Sequence, residues 1–262
     1  MIGKSHNLPI ALLAALGVML MWVSACAEKS TTDLDYLRVV VDGQDTLGVS
    51  QKGHPPKAVV VYFHGLDADE GVIMSDDKHT NFTTALVDKG YAVVASRAGG
   101  NAFGNDASRR NYAKLALSAR AHYRVQDVYF VAESMGAIAA TSLLAATPDP
   151  RLRGLVAISP ALNLEAVPPQ YRSAVQAAYP TEPVGNADPM NLPISDLIGK
   201  NIKLYTAQAD TQVDTSTNAD AFERKFGRSA RISVARCSGD HVDPSCFEGP
   251  AVATWFDGLA SQ

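Results

Sequence analysis

Ser134 stands in the run Ala132-Glu133-Ser134-Met135-Gly136, which follows an apolar stretch and opens an alanine-rich one. A serine on a tight strand-to-helix turn is held up and exposed as a nucleophile. The positions two residues to either side must then be small, because strand and helix nearly touch there. Ala132 and Gly136 meet that need, with Ala the less permissive of the two. The turn also brings the Met135 N–H to a helix N-terminus, where it faces charge developing on an attacked carbonyl. The plainer use of the same residues is a serine helix cap. A hydroxyl nucleophile needs a base, and an imidazole base needs a carboxylate to orient it. His241 lies in Gly239-Asp240-His241, after the last apolar strand-like run, and Asp210 lies just beyond the run at 202–207. Asp214, Asp240 and Asp243 are competing carboxylates. Asp210 is favoured by its distance from the strand, whereas Asp240 adjoins His241 and would point away from it in an extended chain. His64-Gly65-Leu66 follows another apolar run, 57–63.

The elements that must position these residues are legible as short apolar runs. Residues 36–41 and 46–50 read as a strand pair around the Asp42-Gly43 turn. The run at 57–63 has the length and continuity of a strand buried on both faces, 91–95 reads as the next buried strand, and 125–132, 154–158, 202–207 and 231–235 read as further strands. Between them, helical patterns cover 77–89, a stretch ending near 123, 135–146, and 216–226, and a closing helix spans 249–260. The order predicts a mostly parallel sheet with helices on both faces. The irregular stretch at about 160–200, with a short helical run near 171–178, is long enough to be a lid or pocket wall.

Serine, aspartate and histidine thus occur in that order, each beyond the C-terminal end of a core strand. On these residues the sequence resembles the α/β-hydrolase-fold serine hydrolases, over about residues 57–260. The resemblance implies Ser134 as nucleophile, His241 as general acid/base and Asp210 as the group that orients it. It also implies backbone oxyanion donors from Leu66 and Met135. Ala132 in the first glycine place is a departure. The activity implied is acyl transfer through an acyl-enzyme, with a carboxylic ester the expected substrate and neither a cofactor nor a metal required. A peptidase or an acyltransferase would use the same triad, and a binding protein that kept the fold would use none of it. The partner expected at the site is a small or lipid-like acyl compound. The oligomeric state is left open.

The N-terminus reads as an address. A basic start is followed by the apolar run 10–23 and then by Val23-Ser24-Ala25-Cys26, which resembles a bacterial lipobox. Fourteen apolar residues fall short of a comfortable membrane span, and the region order is that of an export signal. The expectation is removal of residues 1–25 and lipidation of Cys26. A polar tether at 26–35 would then join the lipid-anchored end, at a cell-envelope membrane, to a domain at 36–262. Cys237 and Cys246 remain, and in an oxidising compartment they are expected to form a disulfide around His241.

Composition excludes other classes. The chain has 262 residues, 47% hydrophobic, with a net charge of -4, enough for one substantial core and unsuited to a broad nucleic-acid surface. Residues 99–104 follow a strand, but a dinucleotide loop needs glycine where Asn101 stands. That loop is expected instead to line the cleft, with Phe103 either in its apolar wall or on a solvent-facing turn. His54, His79 and His122 share no metal-ligand spacing and are expected on loops or the surface.

Overall fold

The runs Ala58–Phe63, Tyr91–Ser96 and Val128–Glu133 are buried along their whole length, as strands covered on both faces must be. The computed structural model describes residues 32–261; the export signal, Cys26 and most of the tether lie outside the described residues. The strands are β1 (Leu34–Val41), β2 (Gln44–Gln51), β3 (Ala58–Phe63), β4 (Tyr91–Ser96), β5 (Val128–Glu133), β6 (Leu152–Ile158), β7 (Asn201–Ala207) and β8 (Arg231–Cys237). The helices are α1 (Asp77–Asp88), α2 (Asp106–Tyr123), α3 (Gly136–Ala146), α4 (Arg172–Ala178), α5 (Ala219–Phe226) and α6 (Gly249–Ala260). The strand order is β1-β2-β4-β3-β5-β6-β7-β8. β1, β2 and β4 pair antiparallel, and every pair from β4 to β8 is parallel. This is the mostly parallel sheet that the order of runs predicts, and the α/β-hydrolase architecture that the resemblance implies.

Alternation along each strand divides the core into two layers. Val59, Val61 and Phe63 pack with α2, α3 and α5, while Val60 and Tyr62 pack with α1 and α6. Each large side chain buried this way contributes about 1.5–3 kcal/mol. The chain passes from β3 to β4 on one side of it and then to β5 on the other. The carboxyl ends of β3 and β5 therefore flank a switch point, where ligand crevices form in open α/β sheets.

Several element boundaries lie one to three residues from expectation, among them those of β1 and β5. β1 begins at Leu34, so the last two tether residues pair with Gln51 and Ser50. β5 begins at Val128 rather than 125, since the Arg124 left-handed cap of α2 occupies the approach.

Candidate active site

Ser134, His241 and Asp210 meet at the carboxyl ends of β5, β8 and β7. The Ser134 hydroxyl lies 2.8 Å from His241 Nε2, and His241 Nδ1 lies 2.8 Å from Asp210 Oδ2. The imidazole and carboxylate side chains are 7% and 1% exposed. With its proton on Nδ1, the ring donates to Asp210 and accepts from Ser134. The second Asp210 oxygen accepts the amides of Gln212 and Val213, at 3.0 and 2.8 Å, which fixes the carboxylate plane.

The competing acids serve elsewhere. Asp214 accepts from the Ser216 amide, and Asp243 accepts from the Ser245 amide. Asp240 accepts the Thr211 and His241 amides, both at 2.7 Å, and the Thr211 hydroxyl. Those hydrogen bonds hold its carboxyl below the usual carboxylate range. Asp240 is thus a strut between the loop carrying Asp210 and the loop carrying His241.

The serine turn is tight. Ser134 has φ 47°, a left-handed conformation costly for a residue with a Cβ and kept where surroundings enforce it. Its amide donates to Ile158 O at 2.9 Å, and its carbonyl accepts from Ala161 at 3.0 Å. A Cβ on Gly136 would lie 2.3 Å from Phe63 O, so only glycine admits this approach of β3 to α3. Met135 caps the N-terminus of α3. Leu66 and Met135 both border the cleft beside Ser134, and among the described residues no loop hydrogen bond takes up their amides.

The cleft has a volume of about 250 Å³. Phe103, Ala161, Val167, Tyr171 and Val242 give it apolar walls. Phe103 is 5% exposed and shares a cluster with Met135, Leu164, Val167, Val175 and Tyr179. The 160–200 stretch therefore packs over the elbow, with Tyr171 reaching Gln212 at 3.2 Å.

Cys237 and Cys246 form a disulfide across the His241 loop. Val242, at φ 49°, donates its amide to Ser159 Oγ at 3.1 Å, and its carbonyl accepts Lys78 Nζ at 3.1 Å.

Two residues near the site escape a reading of spacing alone. Asn101 exchanges two hydrogen bonds of 2.7 Å with Asp67, one to its amide and one to its carboxylate. It clamps the loop that carries Leu66. His79 corrects the expectation of a loop or surface position: it is 4% exposed on α1, with Nδ1 2.8 Å from Asp76 and Nε2 2.8 Å from Glu133. Its spacing with Phe82, Thr83, Leu86 and Val87, the other buried residues of α1, was the available signal.

A protein-family model described as "Serine aminopeptidase, S33" matches residues 54–233. A search of curated proteins found no match. Among solved structures, TT1662 from Thermus thermophilus is similar at a TM-score of 0.65 and 14% identity, covering 88% of this chain and 99% of that one. Est1E from Butyrivibrio proteoclasticus gives 0.62 and 14%, covering 87% and 99%. Oligopeptidase B from Leishmania major gives 0.64 and 12%, covering 87% of this chain and 37% of the oligopeptidase. At these identities the likeness is one of fold.

Proposed function

The chain belongs to the family described as serine aminopeptidase, S33, and from that premise we propose that it cleaves carboxylic esters through Ser134, His241 and Asp210. The observation that carries this reading is the unbroken hydrogen-bond chain from hydroxyl to imidazole to carboxylate, with both links at 2.8 Å. His241 takes the Ser134 proton as the oxygen attacks the ester carbonyl. The amides of Leu66 and Met135 receive the oxyanion. His241 then protonates the departing alcohol and activates water to release the acid. A small, apolar-walled cleft suits a short acyl chain. The matched fold accounts for 92% of the Pyrococcus furiosus esterase Pf2001 but 37% of the oligopeptidase, which favours ester over peptide.

A second reading is an aminopeptidase, as the family description names. Asp67 favours it, because its exposed carboxylate borders the cleft and suits a substrate ammonium group. Hydrolysis of a graded series of p-nitrophenyl esters, set beside amino-acid p-nitroanilides, separates the two. Ester turnover abolished in Ser134→Ala carries the proposal. Turnover of the anilides alone carries the second reading, and a folded protein that no fluorophosphonate labels is a binding protein.

The proposal includes export, with cleavage before Cys26 and lipidation of that residue. The basic, apolar, small order of residues 4–26 supports it, and a disulfide at Cys237–Cys246 suits an oxidising compartment. Intact mass of the membrane-extracted protein tests it: an acylated chain starting at Cys26 is expected, and a retained residue 1 overturns it.

A further inference from the structure

Glu133, the residue before the nucleophile, carries a second set of ionisable contacts. Its side chain is nearly buried, and Oε2 accepts the Tyr62 hydroxyl at 2.6 Å and His79 Nε2 at 2.8 Å. A Cβ added to Gly65 would lie 3.1 Å from Oε1, so the carboxylate touches the loop that carries Leu66. It also borders the cleft. This buried carboxylate therefore touches the loop of one proposed oxyanion donor, Leu66, and belongs to the residue two before the other, Met135.

His79 is the counter-charge. Its two ring nitrogens face carboxylates, Asp76 Oδ1 and Glu133 Oε2. A carboxylate has no proton to give, so both nitrogens must donate and the ring is an imidazolium. The other groups around it are the Ser75 hydroxyl, 3.5 Å from Nδ1, and the edge-on rings of Tyr62 and Phe247. Lys78, one residue away, bonds the Val242 carbonyl and adds positive charge near both carboxylates. Burial works against charge on His79, but Glu133 and Asp76 outweigh it and hold the ring above its usual 6.5. Burial likewise opposes charge on Glu133, and His79 with Tyr62 outweighs it.

Resting on the reading of Ser134 as the nucleophile, we propose that His79 and Glu133 are a charged positioning pair for the elbow. Doubly protonated His79 neutralises Glu133 beside the oxyanion donors. Loss of its Nε2 or Nδ1 proton leaves an excess negative charge there and slows attack by Ser134. Neutral His79 can donate to one carboxylate alone. The unpaired charge then repels the oxyanion as it forms, an effect felt strongly in a partly desolvated site.

The test follows the rate of fluorophosphonate labelling of the full-length protein from about pH 6 to about pH 9.5, from near the ordinary histidine value upward. Wild type is compared with His79→Gln, Glu133→Gln and the double variant. The wild-type rate is expected to fall on the alkaline side, and Glu133→Gln to lose that fall. At neutral pH, His79→Gln should label about tenfold more slowly, and the double variant faster than His79→Gln. A residue that merely supports the fold predicts no such rescue. Nitrogen-15 NMR of histidine-labelled protein reads the ring directly: two His79 N–H signals are expected at neutral pH, one of them vanishing where labelling slows. A neutral ring, a wild-type rate with no alkaline fall, or a fall kept in Glu133→Gln overturns the proposal. If His79→Gln does not fold, wild type, Glu133→Gln and the NMR signals decide. A folded wild type that no probe labels sinks the hydrolase reading and this pair with it. Labelling without an alkaline fall sinks the pair alone.

Discussion

Gly136 lies against the end of β3 so closely that a Cβ would stand 2.3 Å from the Phe63 carbonyl and 2.8 Å from that of His64. The same approach puts the loop carrying Leu66 beside the Met135 amide. One glycine therefore sets the spacing between the two proposed oxyanion donors, and it does so through backbone that cannot yield as a flexible side chain would. Gly136→Ala is expected to destabilise the fold by about 1–3 kcal/mol or more, the usual cost of forced overpacking. It should also lower kcat in whatever protein folds. Chemical denaturation with ester kinetics checks both; an unchanged midpoint would mean that the helix slides away at little cost.

Asp210→Asn keeps the shape of the acid and removes its charge. An amide in this place can accept from Nδ1 or donate to it, and the donating arrangement fixes the tautomer that cannot act as base toward Ser134. The expected loss is about 10³–10⁴-fold in kcat with KM little changed. Asp240→Asn keeps a carbonyl oxygen for Thr211 and His241 and should cost far less. Comparable losses in the two variants would move the acid role away from Asp210.

The chain order of Ser134, Asp210 and His241 was readable because each follows a strand-like run of the sequence. Parallel strands place such residues on one edge of the sheet. Fully buried strands such as Val128–Glu133 have no alternation, so their starts were less legible: the apolar Val125 drew the expected start three residues too early. His79 was misread for a different reason. Its partner Glu133 is 54 residues away, and only the register of α1 against β5 brings them together. Asn101 is similar. It breaks a nucleotide-loop pattern, and that negative reading hid its contact with Asp67, 34 residues back.

The disulfide closes a loop with a sequence separation of 9. Such a short loop is worth roughly 2–3 kcal/mol in the chain-entropy model. Both sulfurs are buried beside Phe247 and α6, so replacement also leaves packing to be made good. The variant with both cysteines changed to serine is expected to be less stable by at least that amount, to melt lower, and to lose activity before it unfolds, because His241 sits inside the loop. Parallel thermal curves of fluorescence and ester turnover check this. Coincident curves would mean that the Asp240 and Ser159 contacts hold the loop without it.

The His79–Glu133 pair makes stability depend on pH at both ends. His79 is held above its usual 6.5 in the folded chain, so its contribution is complete below that value and is lost as pH rises through the folded value. Glu133 is held below its usual 4.5, so its contribution is present above that value and is lost as pH falls through the folded one. Removing one partner of a buried pair strands the other, at about 3–5 kcal/mol. His79→Gln should therefore be much less stable than wild type near neutral pH, and its alkaline decline should be shallower. Glu133→Gln leaves His79 without its main reason to stay charged, so its melting temperature should vary less with pH between about 6 and 9. Melting curves of the three proteins across that range, read as differences from wild type, isolate the pair from the other carboxylates. Parallel curves for all three would show that the two side chains hold no charge against each other.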